Sequence, residues 1–234
     1  MISQKTKQAV AHDCLMRGDE EACGFIIDGE IFPCENRAEN PAIEFLIAAE
    51  DYARVDSLGE IECVYHSHIN GNEKFSLHDV NVCKHINLPW LLFTNKTGNF
   101  RYADPTGKAP YIGRDWAYGI HDCYSLMRDF YKRELEIELD DFERGEEGEW
   151  ESSSWTMFMD NYASQGFVEI DKPSKTGDFL LMNIVAPSPN HAGVFLAEQN
   201  CFYHHLMDRQ SERTVWGQSW SKYTSRVLRH ESLL

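Results

Sequence analysis

The sequence contains no Cys-x-x-Cys pair. Its seven cysteines stand at positions 14, 23, 34, 63, 83, 123 and 201, an odd number widely scattered. That spacing argues against a cysteine–zinc cluster and against a dense disulfide framework. It fits synthesis in a reducing cytoplasm, with most of the thiols serving as small buried hydrophobes. No apolar run is long enough to span a membrane, and MISQKTKQAVAHD lacks the apolar core of a secretory leader, so no membrane insertion is expected. Positive charge is scarce: 22 Lys and Arg against 38 Asp and Glu leave a formal charge of −16. Nucleic acid and anionic lipid would be repelled, which excludes them as main partners. Much of the acidic excess falls between Glu134 and Glu151 (ELEIELDDFERGEEGEWE), which reads as a local solvated segment.

What is present supports a folded protein. A hydrophobic share of 42% and an aromatic share of 12% are enough for a buried core, and 234 residues allow two domains. The patterning predicts an α+β chain in two units. In the first, Gln4–Met16 reads as an amphipathic helix, and Gly24–Ile27 with Ile31–Cys34 as a hairpin turned at Asp28-Gly29. A strand-like run at Phe45–Ile47 leads into a helix, Ala48–Val55, and Ile61–Tyr65 reads as a further strand. Ser76 is placed to cap a helix over Leu77–Ile86, followed by a hairpin of Trp90–Phe93 and Asn99–Ala103. Asp104–Gly113 (DPTGKAPYIG) has the proline and glycine content of a linker.

The run YHSHINGNEKFSLHDV carries the first chemistry. His66 and His68, two apart on a strand end, point to the same side because strand side chains alternate. Asp79, eleven residues on, returns to the same point if a loop and one helical turn intervene. Two neutral imidazoles, one carboxylate and a position left for water make a catalytic zinc site. Glu21, in EACGFI just before a strand, is a candidate general base for that water. An isolated His-x-His is more often a pair of surface residues; five parts in order are not.

Cys123 carries the second. In YGIHDCYSLMRDFYKREL, Cys123, Leu126, Met127, Phe130, Tyr131 and Leu135 keep the rhythm of a helix packed on a core. Asp122 is a suitable N-cap, which sets Cys123 in the first turn, where the helix dipole favours a thiolate. A thiol pKa below the usual one is therefore expected. By itself, a core cysteine on the apolar face is an equally good reading. Downstream, GDFLLM reads as a strand, APSPN as a loop, and His191 opens the strand HAGVFL, which a short turn joins to CFYHHL. A histidine at a strand start, with a polar partner across a hairpin, can face a cysteine borne on a helix.

The order Glu21, His66, His68, Ser76 and Asp79 resembles the JAB/MPN (JAMM) metalloprotease family over residues 1–103. That resemblance implies a mixed α/β domain with zinc as cofactor, His66, His68 and Asp79 as ligands, Glu21 as proton carrier and Ser76 as oxyanion donor. Ile69 and Phe75 replace prolines frequent in that family, but neither position supplies a ligand. Across the linker, 104–113, residues 114–234 resemble the NlpC-type cell-wall cysteine peptidases, a compact papain-like α+β fold. Here the resemblance implies Cys123 as nucleophile, His191 as base and His204 as the orienting third residue. His205 is the alternative, since the turn before the pair is one residue longer than usual. Tyr118 stands where it can line the oxyanion region.

The two families joined in one chain resemble bacteriophage tail tip proteins. That implies presence in the host cytoplasm during assembly and at the virion tail tip, with other tail tip proteins and peptidoglycan stem peptides as partners. The expected chemistry is hydrolysis of the D-glutamyl–diamino acid bond, together with a zinc peptidase activity. The alternatives are a structural tail component with little catalysis, or an isopeptidase for ubiquitin-like proteins.

Overall fold

The Ser3 hydroxyl accepts a hydrogen bond from the Thr6 amide at 3.1 Å and opens α1 (Gln4–Arg17), satisfying a donor that a helix start leaves unpaired. Val10 and Cys14, one turn apart, are the residues it buries against the sheet beneath. β1 (Cys23–Ile27) and β2 (Glu30–Cys34) form a hairpin through Asp28 and Gly29, whose φ angles are 50° and 74°. Two consecutive positive φ angles suit a type I′ turn, which matches the twist of the strands it joins. This and the following description rest on a computed structural model, which describes residues 2–145, 148–149, 152 and 155–234.

The chain divides into two compact units, Met1–Gly107 and Lys108–Leu234, and both helices and strands contribute to its α+β class. In the first unit the strand order is β2-β1-β3-β4-β5, with β3 (Cys63–His68), β4 (Trp90–Thr94) and β5 (Phe100–Ala103). Helix α2 (Ala49–Asp56) precedes β3. β3 and β4 are parallel and their neighbours antiparallel. A parallel pair needs a crossover, supplied here by α3 (Leu77–Ile86). β3 is buried along its whole length, and its carboxyl end, where the chain leaves for α3, carries His66 and His68. Crevices at the carboxyl ends of parallel strands are the usual ligand sites of such layers.

Phe45–Ile47 is not a strand. Phe45 lies on the His66 ring, with centroids 4.7 Å apart, and the exposed Leu46 bonds through its backbone to the Arg37 amide and Asn36 Oδ1 rather than to a strand.

In the second unit α4 (Cys123–Glu134) and the short α5 (Met157–Asn161) accompany a sheet of order β10-β9-β8-β7-β11-β6. Its strands are β6 (Phe167–Ile170), β7 (Phe179–Met182), β8 (His191–Leu196), β9 (Cys201–His204), β10 (Glu212–Val215) and β11 (Thr224–His230), all paired antiparallel. A helical turn, α6 (Gln218–Ser221), comes before β11. Alternation divides the strands cleanly. Leu181, Val194 and Leu196 join Leu126, Met127 and Phe130 of α4 in one core, while Leu180, Met182, Phe195 and Phe202 face Trp216 and Trp220 in another.

Two expectations need correction. Residues 109–113 are not free linker. The buried Arg114 guanidinium draws hydrogen bonds to the Ala109 and Pro110 carbonyls and to Asp129, and the Gly113 amide donates to Ser211. Nor is the acidic run simply solvated: Leu139 and Arg144 within it are buried, because apolar and paired cationic groups in an acidic segment still seek the core. Residues 146, 147, 150 and 151 of that run lie outside the described ones.

Backbone that is hydrogen-bonded and buried resists proteases. Brief proteolysis should therefore cut first within residues 104–108 and spare 109–114. Two fragments that each melt cooperatively are expected; first cleavage inside 109–114 would contradict the anchoring by Arg114.

Candidate active sites

In the first unit, alternation on β3 sends His66 and His68 to one side and Ser67 to the other, where the Ser67 hydroxyl accepts from the Ala22 amide at 2.9 Å. The Cys23–His66 register of β1 and β3, continued two residues, sets Glu21 opposite His68. Asp79 arrives by way of a capping box. Its amide donates to Ser76 Oγ at 3.1 Å, and its Oδ2 accepts from the Ser76 amide at 2.7 Å. That reciprocal pair fixes the carboxylate rotamer at the start of α3.

Asp79 Oδ2 lies 3.6 Å from His66 Nε2 and 3.4 Å from His68 Nε2, too far for good hydrogen bonds. The ligand-capable atoms of the three residues all lie within 4.8 Å of one another. Two ligands on a tetrahedral zinc at about 2.0–2.1 Å stand roughly 3.4 Å apart, so the donor set fits that ion. Orphaned atoms agree with this: both ring nitrogens of His66 and Oε1 of Glu21 are buried without a partner. The His68 Nδ1 contact with the Asn72 carbonyl, at 2.9 Å, leaves its Nε2 lone pair for the cluster. His66 is clasped by aromatic rings, with Phe45 stacked on it and Trp90 edge-on at 5.3 Å.

Protonation follows burial and neighbours. Burial draws His66 below its ordinary value and outweighs Asp79. For His68 burial acts in the same direction, but Asp79, Glu21 and the Asn72 carbonyl together raise it. Burial pushes Asp79 up, yet both histidines and Ser76 hold it far below the carboxylate range. Glu21 is pushed up to about 7, first by burial and then by Asp79 and Glu44 against the pull of His68. Ser76 is exposed and uses a lone pair in its cap, so its hydroxyl hydrogen is not needed there.

In the second unit Asp122 caps α4 and Cys123 is its first residue. Cys123 and His191 line one pocket, with Trp116, Trp155, Met157 and Leu206 among its apolar walls. His191, Gly193 and Phe195 share a face of β8, and Gly193 pairs with His204 on β9. His191 Nε2 accordingly meets His204 Nδ1 at 3.1 Å. His204 Nε2 is 3.4 Å from Glu212 Oε1, across the β9–β10 ladder. His205 turns away: its Nε2 contacts the Arg209 carbonyl at 2.9 Å and its ring meets Trp116 edge-on.

The thiol differs from expectation. Burial pushes Cys123 up to about 12, with Asp122 adding to the rise. The Ala192 and Tyr124 amides and Arg144 pull the other way but do not prevail. A helix N-terminus lowers a thiol pKa only when desolvation does not exceed its field. Burial, then His204 and His205, takes His191 well below its ordinary value, so the thiol and the imidazole that line this pocket both favour their neutral forms. Tyr118 lines the pocket, but its hydroxyl donates to the Arg144 carbonyl at 2.7 Å. Arg144 itself went unnoticed in the sequence. Its one signal was being the single cation among the acidic residues of Glu134–Glu151.

A β-carbon at Gly193 would stand 2.6 Å from the Phe202 ring and 3.0 Å from the Tyr203 carbonyl, and Phe202 stacks on His204 with centroids 4.7 Å apart. Gly193→Ala should thus cost about 1–3 kcal/mol of stability in chemical denaturation and shift the His204 imidazole resonances. An unperturbed melt would refute the close approach.

Comparison with known proteins adds a lineage. The NlpC/P60 family, a family of cysteine peptidases, matches residues 107–229. Tail tip assembly protein K of Escherichia phage N15 is 30% identical over 237 residues, covering 99% of this chain and 97% of that one. Tail tip assembly protein K of Escherichia phage lambda is 29% identical over 189 residues, covering 80% of this chain and 90% of its own. The solution structure of protein DSY2949 from Desulfitobacterium hafniense covers 44% of this chain and 82% of its own at 13% identity, with a TM-score of 0.35, too slight a likeness to argue from. By residues 107–229 the chain belongs to the NlpC/P60 family, and along its whole length to the family of phage tail tip assembly proteins K.

Proposed function

We propose that the chain is a peptidase of phage tail tip assembly whose principal chemistry is thiol-dependent cleavage of peptidoglycan stem peptides at the D-glutamyl–diamino acid bond. The observation that carries this reading is the 3.1 Å contact of His191 Nε2 with His204 Nδ1 at the pocket that also holds Cys123. With Nε2 engaged, His191 presents Nδ1 as the proton acceptor, and the tautomer is set by His204. Cys123 Sγ attacks the carbonyl as His191 takes its proton, and the protonated imidazole then returns that proton to the leaving amine. The Asp122 cap holds the Ser125 amide, and the Cys123 and Tyr124 amides, which have no intrahelical acceptor, would serve the oxyanion. Because thiol and imidazole begin neutral and buried, charge is created only as the proton moves. Other tail tip proteins are the partners this reading assigns, in the host cytoplasm during assembly and at the virion tail tip.

Digestion of purified muropeptides tests it. Cys123→Ala, His191→Ala and His204→Ala should each lower the rate at least a hundredfold, whereas His205→Ala should retain most activity. Chelators should leave digestion intact. Full activity of Cys123→Ala would end this assignment.

The residues of the first unit favour a second peptidase site in a JAMM-type domain, residues 1–103, because three ligand atoms converge there on atoms otherwise left orphaned. His66, His68 and Asp79 would hold zinc, which supplies Lewis acidity and acidifies water. Glu21 holds and hands on a proton at its carboxylate, and the Ser76 hydroxyl donates toward developing negative charge. Elemental analysis should find one zinc per chain, lost in the His66→Ala/His68→Ala double variant and kept in Glu21→Gln. Absence of zinc after metal-supplemented expression would remove the site.

A further inference from the structure

A guanidinium leaves water only where partners replace its hydration. Arg144 keeps 7% of its surface exposed. Its N–H groups go to Asp122 Oδ2 at 2.9 Å, Asp141 Oδ1 at 2.8 Å, Ser125 Oγ at 3.2 Å and the Phe142 carbonyl. Its cationic centre lies 4.9 Å from the Tyr124 ring centroid, a distance at which the ring face attracts it. Its carbonyl accepts from Tyr118 at 2.7 Å and from the Trp155 indole at 2.8 Å. Asp122, Tyr124 and Ser125 are the cap and first turn of the helix that begins at Cys123, and Tyr118 and Trp155 are walls of the pocket. These partners stand at the thiol, while Asp141 and Phe142 are neighbours of Arg144 in its own segment.

The electrostatics follow. A carboxylate adjoining Cys123 opposes formation of a thiolate, and a guanidinium 2.9 Å from that carboxylate offsets it. Among the described residues, the other titratable groups facing the thiol add no comparable charge. His191 from β8 is held neutral by burial, as are His204 and His205 behind it, and Asp141 is shared between Arg144 and Arg128. Asp122 raises the Cys123 thiol and Arg144 lowers it.

We infer that Arg144 is a positioning residue of the thiol site: it cancels the Asp122 charge beside Cys123 and ties the segment walling the pocket to the nucleophile's helix. The assignment rests on Cys123 being the nucleophile, but not on what the enzyme cleaves.

Its test is the rate of Cys123 alkylation by iodoacetamide at pH 8 in the full-length chain, followed by peptide mass spectrometry. Asp122→Asn retains a good helix cap and removes the charge, so alkylation should quicken about tenfold, one pKa unit of thiolate. Arg144→Met should slow it about tenfold, Arg144→Lys should fall between, and the Asp122→Asn/Arg144→Met double variant should return near the wild-type rate. Loosening or unfolding exposes a buried thiol and speeds alkylation, so a slowdown in Arg144→Met reports charge rather than damage. Arg144→Met reacting as fast as wild type or faster, or Asp122→Asn failing to accelerate, overturns the inference. If this order of rates holds and muropeptides are still not cut, the stem-peptide reading fails and the role of Arg144 stands.

Discussion

A carboxylate at a helix N-terminus sits under the chemistry of each unit. In the first, the Asp79 carboxylate accepts from the Ser76 amide at 2.7 Å and, through the same oxygen, faces His66 and His68. In the second, the Asp122 carboxylate accepts from the Ser125 amide and hydroxyl, the Gly119 amide and Arg144 Nε. The two caps differ in consequence. Asp79 is a proposed metal ligand, so its capping bonds would pre-orient it for that role. Asp122 precedes the reactive group, so its capping bonds hold the first turn while its charge acts on Cys123. In both cases a local backbone requirement, the unpaired amides of a helix start, is met by a side chain that also serves the site.

Burial then sets proton affinities in opposite ways. Glu21, drawn up to about 7 chiefly by burial, holds and releases a proton near neutrality, where a general base is most effective. The thiol and imidazole of the second unit are both displaced toward their neutral forms. In the proposed reaction their ion pair would be made as the proton moves rather than stored beforehand. The apolar walls of Trp116, Trp155 and Leu206 make that creation of charge costly unless donors are already aimed at it. The amides of Ala192 and Tyr124, which pull the thiol toward its ionised form, are donors of that kind.

How far the sequence could be read depended on the distance between partners. Ser76 and Asp79 are three residues apart, the cap and first turn of the helix their spacing suggested, Leu77–Ile86. The cap at Asp122 and the strand opened by His191 were legible for the same reason: each is a local signal. Phe45 was not, because the apolar run that suggested a strand answers to His66, twenty-one residues away. Arg144 was missed for a similar reason. Composition averaged it into an acidic, solvated segment, while its partner Asp122 lies across a helix and a loop. Residues 109–113 looked like spacer because proline and glycine mark turns, yet those turns are what Arg114 gathers. The sequence shows where a turn is; what the turn touches is a tertiary fact.

The Asp122–Arg144 pair also bears on why a charged group is kept where an apolar one would fit. Burying an ion pair is weak evidence for stability, since desolvation takes back much of the Coulomb attraction. Here the cost is offset by the further acceptors Asp141, Ser125 and the Phe142 carbonyl. Removing one partner alone would strand the other charge, at a cost of about 3–5 kcal/mol. A matched apolar replacement of both would be tolerated far better by the fold. What it would lose is the balance of charge at the first turn of α4, where the proposed nucleophile Cys123 would ionise. A buried pair that contributes little to stability, yet sits against the proposed nucleophile with both members saturated, is better explained by the chemistry proposed for that thiol than by the needs of the core.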